Sequence, residues 1–64
     1  MNHRAAISIK VALSRKLLSQ TSLSIDEIAE HCGFNTPNYF ATVFRKYMSQ
    51  SPVSYRNSLS QNNI

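Results

Sequence analysis

One cysteine, one glycine, two prolines, three acidic residues and no tryptophan are all that the 64 residues hold of those types. Each scarcity removes a class of protein. A lone thiol, Cys32, cannot close an internal disulfide, so the disulfide-stapled secreted mini-domains drop out and a reducing cytoplasm fits best. No apolar run approaches the roughly 20 residues that a membrane-spanning helix needs. The start, Met1 to Arg4, leads into interleaved apolar and polar residues, so neither a span nor a signal peptide is read. His31 and Cys32 are neighbours, splayed about 100 degrees apart on a helix, and His3 is the only other histidine. They make neither a metal ligand set nor a nucleophile with its base, and no enzymatic activity, metal or cofactor is expected.

What is present is a short chain with one small core's worth of apolar side chains. A domain of this size buries only about 60% of its unfolded surface, so its stability leans on a neighbouring module or partner. Seven lysines and arginines against three acids give a formal net charge of +4. All three acids, Asp26, Glu27 and Glu30, fall in one segment with bases on both sides of it. A polyanion is the partner such a balance favours, through long-range attraction and counterion release.

Apolar spacing divides the chain into helices. From Ala5 to Gln20, Ile7, Ile9, Val11 and Leu13 alternate as in a strand, while Ile7, Val11, Ser14 and Leu18 follow helical spacing. Helix is the better fit, because good helix formers dominate and no second strand lies downstream to pair with. After the connector Thr21-Ser22-Leu23, Ser24 and Glu27 form a capping-box pattern, and Ile25, Ile28, Ala29 and Cys32 make a two-turn apolar stripe. Gly33 then suits a left-handed helix stop, with Phe34 anchoring the turn. Asn35 is placed to cap the next helix, which runs from about Thr36 to Met48 with Pro37 in its first turn. That helix has two opposed stripes: Phe40, Val43, Phe44 and Tyr47 for a core, and Asn38, Ala41, Thr42 and Arg45 for solvent or a groove. Ser49 to Pro52 interrupts it. A last helix starts at Ser51 or Pro52 and runs toward Leu59, and Ser60 to Ile64 is expected to be a frayed tail. The expected fold is all-α, a small helical bundle: a joining-type helix over 1–20, a helix-turn-helix unit over 21–59 and the tail over 60–64.

Leu17-Leu18, Thr21, Leu23-Ser24-Ile25, Glu27-Ile28-Ala29, Cys32-Gly33-Phe34, Tyr39-Phe40, Val43-Phe44-Arg45-Lys46, Ser51-Pro52 and Tyr55-Arg56 together resemble the AraC/XylS family of bacterial transcription regulators. This motif covers about three-quarters of the chain, far more than a bare helix-turn-helix pattern. The resemblance is to the second of the two helix-turn-helix units in the family's DNA-binding domain, with Lys10 to Leu18 matching the helix that joins them. The first unit and any effector or dimerisation domain have no counterpart in the chain. It implies that the helix beginning at Thr36 docks in a major groove, with base-facing positions at Pro37, Asn38, Ala41 and Thr42.

Relatives often carry Ser-Arg where this chain has Ala41-Thr42, and glycine where it has Ser49. The first departure thins direct base readout, leaving Asn38 for an adenine edge, Ala41 for a thymine methyl and Thr42 to accept or donate. Arg45, Lys46 and Arg56 are candidates to neutralise phosphates, as are the backbone N–H groups at the Ser24 helix start. Double-stranded DNA is therefore the expected partner, with a homodimer or a full-length family relative supplying a second module. The missing unit and thin base-reading face also suit a protein-interaction mini-regulator that pairs with or antagonises a full-length relative.

Overall fold

The structure is a computed structural model that describes the backbone of residues 3–61 and the side chains of residues 6–59. Those residues form four helices and no strand: α1 His3–Gln20, α2 Ile25–His31, α3 Pro37–Met48 and α4 Pro52–Gln61.

The ambiguous N-terminal pattern resolves as helix. Val11, Ser14 and Leu18 are buried on one face, whereas Ile9 and Leu13 are 69% and 42% exposed. A strand would have put Ile9 and Val11 on the same side. The buried Ser14 hydroxyl donates to the Val11 carbonyl at 2.6 Å, which satisfies it without a partner from another helix. At the far end, the Thr21 N–H (3.1 Å) and hydroxyl (2.6 Å) both donate to the Leu17 carbonyl. The Leu23 N–H donates back to the Thr21 hydroxyl oxygen at 3.3 Å, which turns the chain into α2.

The capping box at α2 forms as the sequence predicts. The Glu27 N–H donates to Ser24 Oγ (3.1 Å), and the Ser24 N–H donates to Glu27 Oε1 (2.9 Å). The Ser24 N–H, and after it the Ser24 hydroxyl, hold the Glu27 carboxyl below its ordinary value. The helix stops where Gly33 takes φ +86°. There the Gly33 N–H reaches Glu30 O (3.2 Å) and the Phe34 N–H reaches Ala29 O (3.0 Å), the paired bonds of a Schellman stop. A Cβ at position 33 would meet only the end of the Lys10 side chain, Cε at 3.6 Å and Nζ at 3.8 Å. The backbone angle, and not a lack of room, calls for glycine here.

Two details of α3 and one of α4 differ from the sequence expectation. The N-cap is Thr36, not Asn35: Thr36 has extended backbone and its Oγ1 accepts the Tyr39 N–H at 3.0 Å. Both residue types cap well, and the one directly before Pro37 lies in the register that reaches the third N–H. Tyr47 is 40% exposed and lies outside the core. The inner stripe instead passes from Phe44 to the partly buried Met48, one turn on, while Tyr47 keeps its hydroxyl in water. At the other end of the molecule, α4 continues through Ser60 and Gln61, two residues past Leu59. Its start is set by Ser51, whose Oγ accepts the Ser54 N–H at 3.1 Å, with Pro52 in the first turn. The rest of the expected tail, residues 62–64, lies outside the described residues.

Ile28, Phe40 and Phe44 are fully buried at the centre, with Val11, Leu18, Ala29, Cys32, Phe34 and Val43 around them. The aromatic rings form a chain: Phe34 to Phe40 at 4.9 Å, Phe40 to Phe44 at 5.7 Å and Phe44 to Tyr55 at 5.5 Å between centroids. The last two pairs meet edge to face, the arrangement the ring quadrupoles favour. Tyr55 thereby closes the end of the core where Tyr47 was expected.

Candidate nucleic-acid interface

Packing Phe40, Val43 and Phe44 inward fixes which side of α3 faces out, because an α-helix presents residues three and four apart on one face. Asn38, Ala41, Thr42, Arg45 and Lys46 line a single shallow concavity on that outer side. Ala41 is half-buried and the other four are exposed. No acidic residue occurs in α3, so the stripe runs from a neutral N-terminal half to a cationic C-terminal end. Arg45 and Lys46 occupy the last turn, where the helix dipole favours positive charge.

The polar groups on this stripe are not equally available. The Thr42 hydroxyl donates to the Asn38 carbonyl oxygen one turn back, at 3.0 Å. Among the described residues the Asn38 side-chain carboxamide has no hydrogen-bond partner, so its donor and its acceptor both face outward. Thr36 Oγ1 already accepts the Tyr39 N–H, and Pro37 has no N–H to offer. Asp26, Glu30, Asn35, Thr36 and Pro37 share a neighbouring hollow. Two carboxylates thus border the N-terminal end of α3, and cationic character is left to its C-terminal end.

Two residues expected to contact phosphate are otherwise occupied. Arg56 points inward: Nη1 donates to Leu23 O at 2.6 Å, Nε to Leu18 O at 3.2 Å and Nη2 to Thr21 O at 3.2 Å. The guanidinium binds α4 to the end of α1 and the connector behind it, covering one carbonyl of the last turn of α1 and two of the connector. At the start of α2, the Ser24 N–H is already taken by Glu27. With Asp26 and Glu27 both in that first turn, an approaching phosphate meets like charge. The Arg56 role had no local signal in the sequence, since its carbonyl partners lie 33 to 38 residues away.

Behind α3, Ser49 takes the left-handed conformation, φ 64° and ψ 16°. For a non-glycine residue this costs about 1–2 kcal/mol. The Ser49 N–H donating to Arg45 O at 2.8 Å keeps the stop in place. Cys32, the residue that caps the C-terminal end of α2, is buried, and desolvation pushes its thiol above the ordinary value, while His31 is exposed. Among the described residues no three His, Cys, Asp or Glu side chains converge on a metal-sized site. No described helix is long and apolar enough to cross a membrane.

A two-turn capped helix, a Schellman stop at a positive-φ glycine and a longer helix with an acid-free outer stripe together define a helix-turn-helix. Residues 18–57 match the family described as bacterial regulatory helix-turn-helix proteins, AraC family, and the chain belongs to that family. It is 40% identical over 52 residues to the xylose operon regulatory protein of Escherichia coli (strain K12), a match covering 81% of this chain and 13% of that protein. To the HTH-type transcriptional regulator GlxA of Rhizobium meliloti (strain 1021) it is 44% identical over 48 residues, 75% of this chain and 15% of that one. Among solved structures, it superposes with TM-score 0.94 and 29% identity on the DNA-binding domain of AdpA, a global transcriptional factor in complex with a target DNA. That superposition takes in 97% of this chain and 56% of the AdpA chain. The chain thus spans about one-seventh of the length of each of the two curated relatives.

Proposed function

We propose that the chain is a DNA-docking helix-turn-helix unit of bacterial transcription regulation, with α3 laid in the major groove through Asn38, Ala41 and Thr42. The observation that carries this reading is the acid-free outer stripe of α3, which gathers these residues with Arg45 and Lys46 in one concavity. Pro37 and Thr36 sit at the end of α3 that enters the groove first and make van der Waals contact there. Arg45 and Lys46 bind the phosphate backbone. Arg56 and the Ser24 amide take no part, because the fold already uses them. The close superposition on the DNA-binding domain of AdpA, which is in complex with a target DNA, supports the reading of a DNA-docking unit. A DNA target also places the chain in the bacterial cytoplasm.

A single module of this kind covers only about 600–1,000 Å² of DNA, so binding is weak and steeply dependent on salt. A second module, from another copy of the chain or a full-length relative, would supply useful specificity. Replacing both Arg45 and Lys46 by alanine should weaken binding to all duplex sequences alike. The slope of log affinity against log salt should flatten by about 1.8, at about 0.9 for each lost phosphate contact. A gel-shift or anisotropy titration from low to moderate salt reads this, and an unchanged slope would take both residues out of the interface.

The exposed Ile9 and Leu13, one turn apart on the outer face of α1, favour a second reading as a protein-interaction mini-regulator. No retention of duplex DNA even at low salt, together with tight binding to a full-length relative, would favour that reading over the first.

A further inference from the structure

We infer that Thr42 selects a base that presents an exocyclic amine in the major groove, adenine or cytosine, at one position of the DNA site. This rests on the docking of α3 proposed above and follows from how the hydroxyl is used. A hydroxyl has one hydrogen to donate and lone pairs to accept with. In Thr42 that hydrogen goes to the Asn38 carbonyl oxygen at 3.0 Å. The outward side of the oxygen therefore presents lone pairs only.

In the major groove the donors are adenine N6 and cytosine N4, whereas guanine and thymine present oxygen acceptors. An acceptor base set against Thr42 brings two lone-pair-bearing oxygens together unless the hydroxyl abandons its helix bond. The rest of the stripe narrows the choice further. The Asn38 carboxamide offers a donor and an acceptor side by side, which matches adenine N7 and N6. The half-buried Ala41 methyl suits a thymine methyl. Asn38 and Thr42 are one helical turn apart, with Cβ atoms about 5–6 Å from each other. Against a rise of about 3.4 Å per base step, they read positions one or two steps apart. The long cationic side chains that pair with guanine are here Arg45 and Lys46, about a turn further along, and the docking proposed above assigns both to phosphate.

The expected signature is adenine opposite Asn38 and, one or two steps away, adenine or cytosine enriched roughly three- to tenfold over guanine or thymine, the yield of one net hydrogen bond. The test is selection of a randomised duplex library at low salt by the whole chain, run beside Thr42→Val. Valine keeps the branched shape and the methyl contacts but has no oxygen, and position 42 is exposed, so the variant should melt as the parent does. Loss of the amine-base preference at one position, with the others unchanged, is the result expected. A parent that enriches guanine or thymine at the position Thr42→Val alters, or a preference profile that Thr42→Val leaves unmoved, would overturn the inference while leaving DNA docking intact. No retention of any duplex by the folded parent would overturn the docking itself, and this inference with it.

Discussion

Replacing Phe40 by alanine should abolish the cooperative thermal transition or move it far down in temperature. The ring is fully buried and lies 4.9 Å from Phe34 and 5.7 Å from Phe44, so its loss breaks the aromatic chain near its middle. Truncating a buried phenylalanine typically costs about 3–5 kcal/mol, part lost transfer energy and part unfilled cavity. At about 0.05–0.15 kcal/mol per residue, a chain of this length has about 3–10 kcal/mol of stability in total. The substitution therefore removes a third or more of it, and at the lower end all of it. Circular dichroism on heating should show either no transition or a midpoint lowered by roughly 15 °C or more. A cooperative melt within a few degrees of the parent would mean that the wrong face of α3 has been assigned to the core.

Arg56→Met should be the next most damaging change, at a half-buried position, and its effect should fall on stability alone. Methionine keeps most of the aliphatic stem but removes three donors, leaving the Leu18, Thr21 and Leu23 carbonyls without their side-chain partner. Hydrogen bonds from a charged donor are each worth about 1.5–3 kcal/mol net where protected. Partial exposure of this cluster discounts that, and a total of about 2–3 kcal/mol is expected. Arg56→Lys should recover little of it, since an ammonium cannot reach three carbonyls with the fixed fork of a guanidinium. The salt slope for DNA should stay at the parent value for both variants, measured at a temperature where they remain folded. An unperturbed melt with a flattened slope would return Arg56 to the phosphate-binding set.

The parts of this fold that a reader of the sequence can find are those whose cause is local. Ser24 and Glu27 are three residues apart and satisfy each other. Gly33 stands where only a left-handed residue can end α2, and the spacing of Phe40, Val43 and Phe44 allows a single inward face. The misplacements arise where two residues qualify on local grounds. Asn35 and Thr36 are both good caps, and only the register against Pro37 separates them. Tyr47 and Met48 both extend the α3 stripe, and the position of Tyr55 on α4 decides between them. Arg56 was read as a surface cation because sequence carries no trace of carbonyls brought beside it from more than thirty residues away. On the candidate interface, periodicity identified the outer stripe, but a helical threonine has two rotamers open to it, and spacing alone does not select the one that donates four residues back.

The most direct test of α3 as the groove-docking element is to titrate the isotopically labelled chain with a short duplex at low salt and follow each backbone and side-chain amide by NMR. The largest shifts should fall on Asn38, Ala41, Thr42, Arg45 and Lys46, include the Asn38 carboxamide, and fade as salt is raised. Shifts centred instead on Ile9 and Leu13 of α1, or none anywhere on α3 while the chain stays folded, would contradict it.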